Sequence, residues 1–157
     1  MKIHEYTAIL TDNGLPELKK KIMAESKINQ IKHPEDAAAI IQDMFMAGKL
    51  AEEYVWMIAM DTAGHPIGVF ELSHGTIDCT VCQPREIFVR LCLCGASTFI
   101  LIHNHPSNSL QPSREDKNLT KSINDVAMIM GIKLLDHIII GRTLSDVFSM
   151  ADAGFIM

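Results

Sequence analysis

TFILIHNHPSNSLQPSRED, residues 98–116, is the stretch from which the architecture reads. Thr98 to His103 is an Ile- and Leu-rich run suited to a buried strand. His103 to Pro112 is a loop of turn formers. Ser113, with Asp116 three residues on, has the pattern of a capping box that uses Asp. It opens a helix whose apolar positions Leu119, Ile123, Val126, Ala127 and Met130 recur at helical spacing up to Gly131.

The same reading extends in both directions. Downstream, Ile132 to Leu135 continuing through His137 to Ile140, and then Val147 to Met150, read as strands. Upstream, Pro84-Arg85-Glu86 starts a helix with Ile87, Val89, Leu91 and Cys94 turned partly inward and Gly95 as its cap. Tyr54 to Met60 and Pro66 to Leu72 flank Asp61-Thr62-Ala63-Gly64 as a β-hairpin, and a further strand is expected over Thr76 to Val81. Pro34, followed by Glu35 and Asp36, suits a helix N-terminus; Ile40, Ile41, Met44 and Phe45 continue it, with Gly48 expected to close it. Residues 1–33 offer an extended opening (Ile3 to Leu10), a Thr11-Asp12-Asn13-Gly14 turn and a Lys-rich segment to Ser26 read as helical. Strands and helices alternate, so the expected fold is α/β, a mixed β-sheet flanked by helices. The expected organisation is a single domain at 34–157, with 1–33 as an N-terminal extension packing on it.

A chain of 157 residues with 48% apolar residues is long enough for one compact core and short for two. No apolar run approaches the roughly 18 to 20 residues of a membrane span, and Met1 to Leu10 mixes charges into what a signal peptide would keep apolar. The seven basic residues before Ala51 are matched by seven acids, so the net charge of -5 comes entirely from the remainder. That argues against a phosphate-tracking surface and so against nucleic acid as a partner. Cys79, Cys82, Cys92 and Cys94 lie in apolar segments, which suggests reduced thiols and a cytoplasmic protein. They also form a rival metal set, Cys79-x-x-Cys82 with Cys92-x-Cys94. Strand residues three apart face opposite sides and helix residues two apart diverge by about 200°, which counts against it.

The chemistry concentrates at His103-x-His105. Residues two apart on a strand share a face, so two imidazoles can be presented to one point, and Asp116 in the first turn of the next helix can add an oxygen. Two His and one carboxylate leave a tetrahedral zinc ion an open position for water, as catalytic sites do. Each residue also has a plainer role: a satisfied core histidine, a helix cap at Ser113, a helix-dipole partner at Asp116. Capping and ligation are compatible, since a cap would hold Asp116 in place. Asp136-His137 is a candidate for support, with Asp136 accepting a hydrogen bond from a ligand imidazole, or simply a polar pair at a strand start.

His-x-His-x7-Ser-x-x-Asp resembles the JAMM metalloprotease signature of MPN domains. Gly75-Thr76, Pro84-Arg85-Glu86, His103 to Ser107, Pro112-Ser113, Asp116 and Leu135-Asp136-His137 stand in the order of the RadC-like branch, a similarity running from about Pro34 to Met150. The resemblance implies an MPN-type sheet and a zinc-dependent peptidase or isopeptidase acting on a peptide or protein. It implies Zn2+ held by His103, His105 and Asp116, with Ser113 stabilising the intermediate and Glu71 as the carboxylate that moves the proton. Glu71 stands four residues before Gly75, and a bulge would reconcile its spacing with the family's; Glu52, Glu53 and Glu86 are the other acids near element ends. Asn108 stands where the family usually has Gly, and Asn tolerates the left-handed conformation. The alternatives are a DNA-repair-associated nucleic-acid-binding module, which the acidic balance counts against, and a non-catalytic MPN interaction scaffold, which the retained ligands count against.

Overall fold

The computed structural model describes residues 1–75 and 82–156. Its elements in chain order are β1 (Lys2–Leu10), β2 (Pro16–Glu25), α1 (Pro34–Phe45), β3 (Glu53–Met60), β4 (Pro66–Gly75), α2 (Pro84–Cys94), β5 (Thr98–Asn104), α3 (Arg114–Met130), β6 (Lys133–Ile140) and β7 (Val147–Ser149). The strands form one mixed sheet in the order β2-β1-β4-β3-β5-β6-β7. This is the expected α/β architecture. The strand expected over Thr76 to Val81 lies outside the described residues, as does Cys79.

Each face of the sheet has its own core. Because side chains alternate along a strand, Val55, Met57 and Ala59 of β3 and Phe99 and Leu101 of β5 turn toward α2 and α3, meeting Ile87, Leu91, Leu119 and Ile123. Trp56, Ile58 and Met60 with Ile100 and Ile102 turn the other way, onto Ala37, Ile40 and Ile41 of α1. The central strands β3 and β5 are therefore apolar on both sides, as a sheet covered on both faces requires.

Two local expectations are corrected. The Lys-rich segment is not helical: it is β2, paired antiparallel with β1 through the Thr11 to Gly14 turn, where Gly14 takes φ +75°. Helix propensity yields here because the turn returns the chain beside an open strand whose backbone groups need partners. Lys19, Lys20 and Lys21 then lie on the edge strand of the sheet, where charge discourages pairing with another chain. Helix α1 ends at Phe45, not at Gly48, with Met46 in the left-handed conformation at φ 52°. Gly48 sits in the short 3-10 turn that follows.

The need for glycine at 48 is steric. A Cβ there would lie 2.3 Å from the backbone carbonyl oxygen of Arg142, in the segment between β6 and β7. That carbonyl cannot swing aside as a side chain would, so Gly48→Ala is expected to cost about 1 to 3 kcal/mol, as overpacking does. Urea unfolding followed by circular dichroism would measure it, and an unchanged midpoint would contradict the tight approach.

Candidate metal centre

Strand β5 and the start of α3 build the centre. His103 continues the face of Phe99 and Leu101, so its ring points toward α3, and both His103 and His105 are buried. Ser113 caps α3 by accepting from Asp116 N at 3.0 Å, and the Asp116 carboxylate returns the bond by accepting from Ser113 N at 2.7 Å. This is the reciprocal box expected from the sequence. It turns a 1%-exposed carboxylate into the sheet face. Asp116 Oδ1 lies 3.2 Å from His103 Nε2, and Oδ2 lies 3.6 Å from His105 Nε2. The two Nε2 atoms are 3.0 Å apart.

Ligand atoms of His103, His105 and Asp116 all fall within 4.8 Å of one another, the one such cluster among the described residues. The donor set suits a cation: two imidazole nitrogens and a carboxylate oxygen converge, and Asp116 Oδ1 is buried without a hydrogen bond. Burial pushes the Asp116 carboxyl up, but the adjacent His103 and His105 rings, when protonated, outweigh it by hydrogen bonding and charge and hold it far below the usual range. The hydrogen bond to Asp116 raises His105, against the opposing effect of burial.

A cleft of about 390 Å³ opens over the centre, lined by Glu53, His105, Ser107, Ser109, Gln111, Ser113, Glu115 and Asp116. Glu53, and not Glu71, is the strand acid that reaches it. Val55 of β3 pairs with His103 of β5 in antiparallel register, so Glu53, two residues from Val55, shares that face and lines the cleft with His105, which lies just past the end of β5. Glu71 pairs with Trp56, whose side chain belongs to the opposite core. The bulge that spacing called for is present, since Trp56 pairs with Glu71 and Val55 with Ser73. It leaves Glu71 facing away from the histidines, with its charge acting on Lys21.

Three further side chains support the centre, of which Asn104 carried no signal in the sequence. Asn104, buried between the two histidines, accepts from Tyr54 N at 2.8 Å and donates to Glu52 O at 2.9 Å, clamping the backbone on both sides of Glu53. Asn108 takes the left-handed conformation at φ 62°, as its type allows, and also accepts from Arg142 N at 2.7 Å. Of the Asp136-His137 pair, His137 touches the centre: its Nε2 is 2.8 Å from His103 Nδ1, and its Nδ1 is 2.6 Å from Thr120 Oγ1. Asp136 accepts instead from His137 N, Ala151 N and Ser149 Oγ, so it braces the chain after β7 and meets no ligand imidazole. Its alternating position on β6, opposite in face to His137, decides this.

Comparison with known proteins places the chain in context. A family model described as RadC-like JAB domain matches residues 31–155. A UPF0758 protein of Clostridium acetobutylicum is 35% identical over 130 residues, covering 82% of this chain and 56% of the relative. One from Alkaliphilus oremlandii is 37% identical over 128 residues (80% and 54%), and one from Clostridium beijerinckii 34% over 146 residues (91% and 62%). The chain thus spans little more than half the length of these relatives, and their shared name states no activity. No helix among the described residues is long and apolar enough to cross a membrane.

The electrostatics predict a pH window for the metal-free protein. Asp116, lowered by folding, contributes stability above its unfolded value near 3.9 and loses it as pH falls; His105, raised by folding, contributes below its unfolded value near 6.5 and loses it as pH rises. The unfolding free energy of wild type minus that of Asp116→Asn should therefore peak between about pH 4 and 6.5. A flat difference from about pH 3 to 8 would contradict the pairing.

Proposed function

The chain belongs to the RadC-like JAB domain family, and on that premise we propose that it is a zinc-dependent hydrolase of peptide or isopeptide bonds. The observation that carries the reading is the convergence of His103, His105 and Asp116 beneath a cleft that Glu53 also lines. His103, His105 and Asp116 would hold the ion. A zinc ion bound there would polarise the substrate carbonyl and acidify water.

The chain's own groups supply the rest. Glu53, held by the Asn104 clamp at the mouth of the cleft, is positioned to take a proton from the attacking water and return it to the leaving amine. Ser113 is exposed and its oxygen accepts from Asp116 N, which leaves its hydroxyl proton available to a developing oxyanion. The cleft carries the carboxylates of Glu53, Glu115 and Asp116, which repel phosphate and so favour a peptide over a nucleic acid.

Metal analysis of purified protein should find about one zinc per chain, at roughly 2.0 to 2.2 Å from the three ligands in a zinc-loaded crystal. Glu53→Gln should keep the metal yet hydrolyse peptides roughly 10² to 10⁴-fold more slowly, while Glu71→Gln should match wild type. Equal rates in wild type and Glu53→Gln would remove Glu53 from the mechanism. A zinc-loaded wild type inert toward a broad peptide and isopeptide library would overturn the hydrolase reading.

A further inference from the structure

Behind His103, on the side away from the cleft, lies a buried chain of polar groups that the proposed reaction does not use. His103 Nδ1 meets His137 Nε2 at 2.8 Å, His137 Nδ1 meets Thr120 Oγ1 at 2.6 Å, and Thr120 Oγ1 donates to the backbone carbonyl of Asp116 at 2.7 Å. His103 and His137 are 0% exposed and Thr120 is 1% exposed, so no bulk water can substitute for any of these partners.

The direction of every proton follows from the far end. The Asp116 carbonyl can only accept, and at 2.7 Å it is a stronger acceptor than the Met150 thioether sulfur at 3.4 Å, so the Thr120 hydroxyl spends its one proton there. Thr120 Oγ1 must then accept from His137 Nδ1–H. A neutral His137 protonated at Nδ1 carries its lone pair on Nε2, which accepts from His103 Nδ1–H. His103 is thereby left with its lone pair on Nε2, the atom that faces His105 and Asp116. His105 reaches the same state by a shorter route, since its Nδ1 donates to the carbonyl of Ser109 at 2.5 Å.

We propose that His137, backed by Thr120, is a positioning residue that locks His103 in the tautomer able to ligate and so sets the affinity of the centre for its metal. The chain of groups begins and ends on ligand residues: it starts at the Asp116 carbonyl and finishes at the His103 ring. It therefore fixes the side chain of one ligand against the backbone of another, across α3, β6 and β5. Burying an imidazole as a donor-acceptor relay makes sense of His137, whose position on β6 beside Leu101 would otherwise suit an apolar side chain. The affinity part of this inference rests on the metal-site reading above; the tautomer part does not.

Two readouts test it. Long-range nitrogen–proton NMR correlation on the metal-free wild type should show His103 protonated at Nδ1 and His137 protonated at Nδ1. Zinc competition against a chromophoric chelator should show His137→Phe binding roughly 10 to 100-fold more weakly than wild type, the usual effect of removing such a partner. His137→Gln, whose amide oxygen can accept from His103, should recover part of that loss. Should His137→Phe not fold, the near-isosteric Thr120→Val decides, with a weakening of about threefold or more expected. Thermal melts of the metal-free variants separate lost packing from lost affinity. Wild-type affinity in a folded His137→Phe or Thr120→Val, or a His103 protonated at Nε2 in the wild type, would overturn the proposal. A wild type that takes up no zinc would overturn the metal-site reading itself, a result distinct from equal affinities across the variants.

Discussion

Burial of the Asp116 carboxylate is the constraint around which the rest of the structure is arranged. An ionised carboxylate at 1% exposure costs several kcal/mol unless donors or cations surround it. Ser113 N supplies one donor from its own helix turn, and two histidine rings from a neighbouring strand bring their Nε2 atoms beside the carboxylate, where each can donate once its ring is protonated. One oxygen, Oδ1, still lacks a hydrogen bond, which leaves an acceptor that a cation could satisfy.

The sheet delivers this geometry because β3, β5 and β6 are each buried on both faces. A strand with two apolar faces cannot slip by one residue without driving every side chain into the wrong core. The register Val55 to His103 and Leu101 to His137 is thus held by the two apolar cores, whose members lie mostly away from the centre. Glu53, His103 and His137 inherit their common face from it. Asn104 makes the arrangement economical: its backbone belongs to the strand carrying the histidines, while its side chain grips the strand carrying the glutamate.

Membership of the RadC-like JAB domain family accounts for the part of the chain from residue 31 onward. The β1–β2 hairpin lies ahead of that match, yet it continues the same sheet through β4, with Glu5 beside Val69. Its Glu5, buried and paired with Lys21 at 3.0 Å, sits in the sheet half where Glu71 also exerts its charge. Glu71 therefore stands on the face that carries Glu5 and Lys21, opposite the one on which His103, His105 and Asp116 converge.

The sequence by itself determined whatever depends on neighbours within a few residues: the β5–loop–α3 unit, the Ser113–Asp116 cap, the shared face of His103 and His105, the left-handed Asn108 and the α/β class. Those follow from backbone sterics, alternation and short-range hydrogen bonding, all of which act over one or two turns of chain. Tertiary structure alone decided which acid joins the histidines, because Glu53 and Glu71 are both strand residues and only the pairing of β3 with β5 and β4 assigns their faces. It likewise decided that residues 16–25 are a strand, since the edge of β1 outweighed their helical tendency, and that His137 rather than Asp136 backs His103. In the first and last of these cases the deciding partner lies tens of residues away, and in the hairpin it lies across a turn; a pattern read along the chain carries no record of which strand will stand beside which.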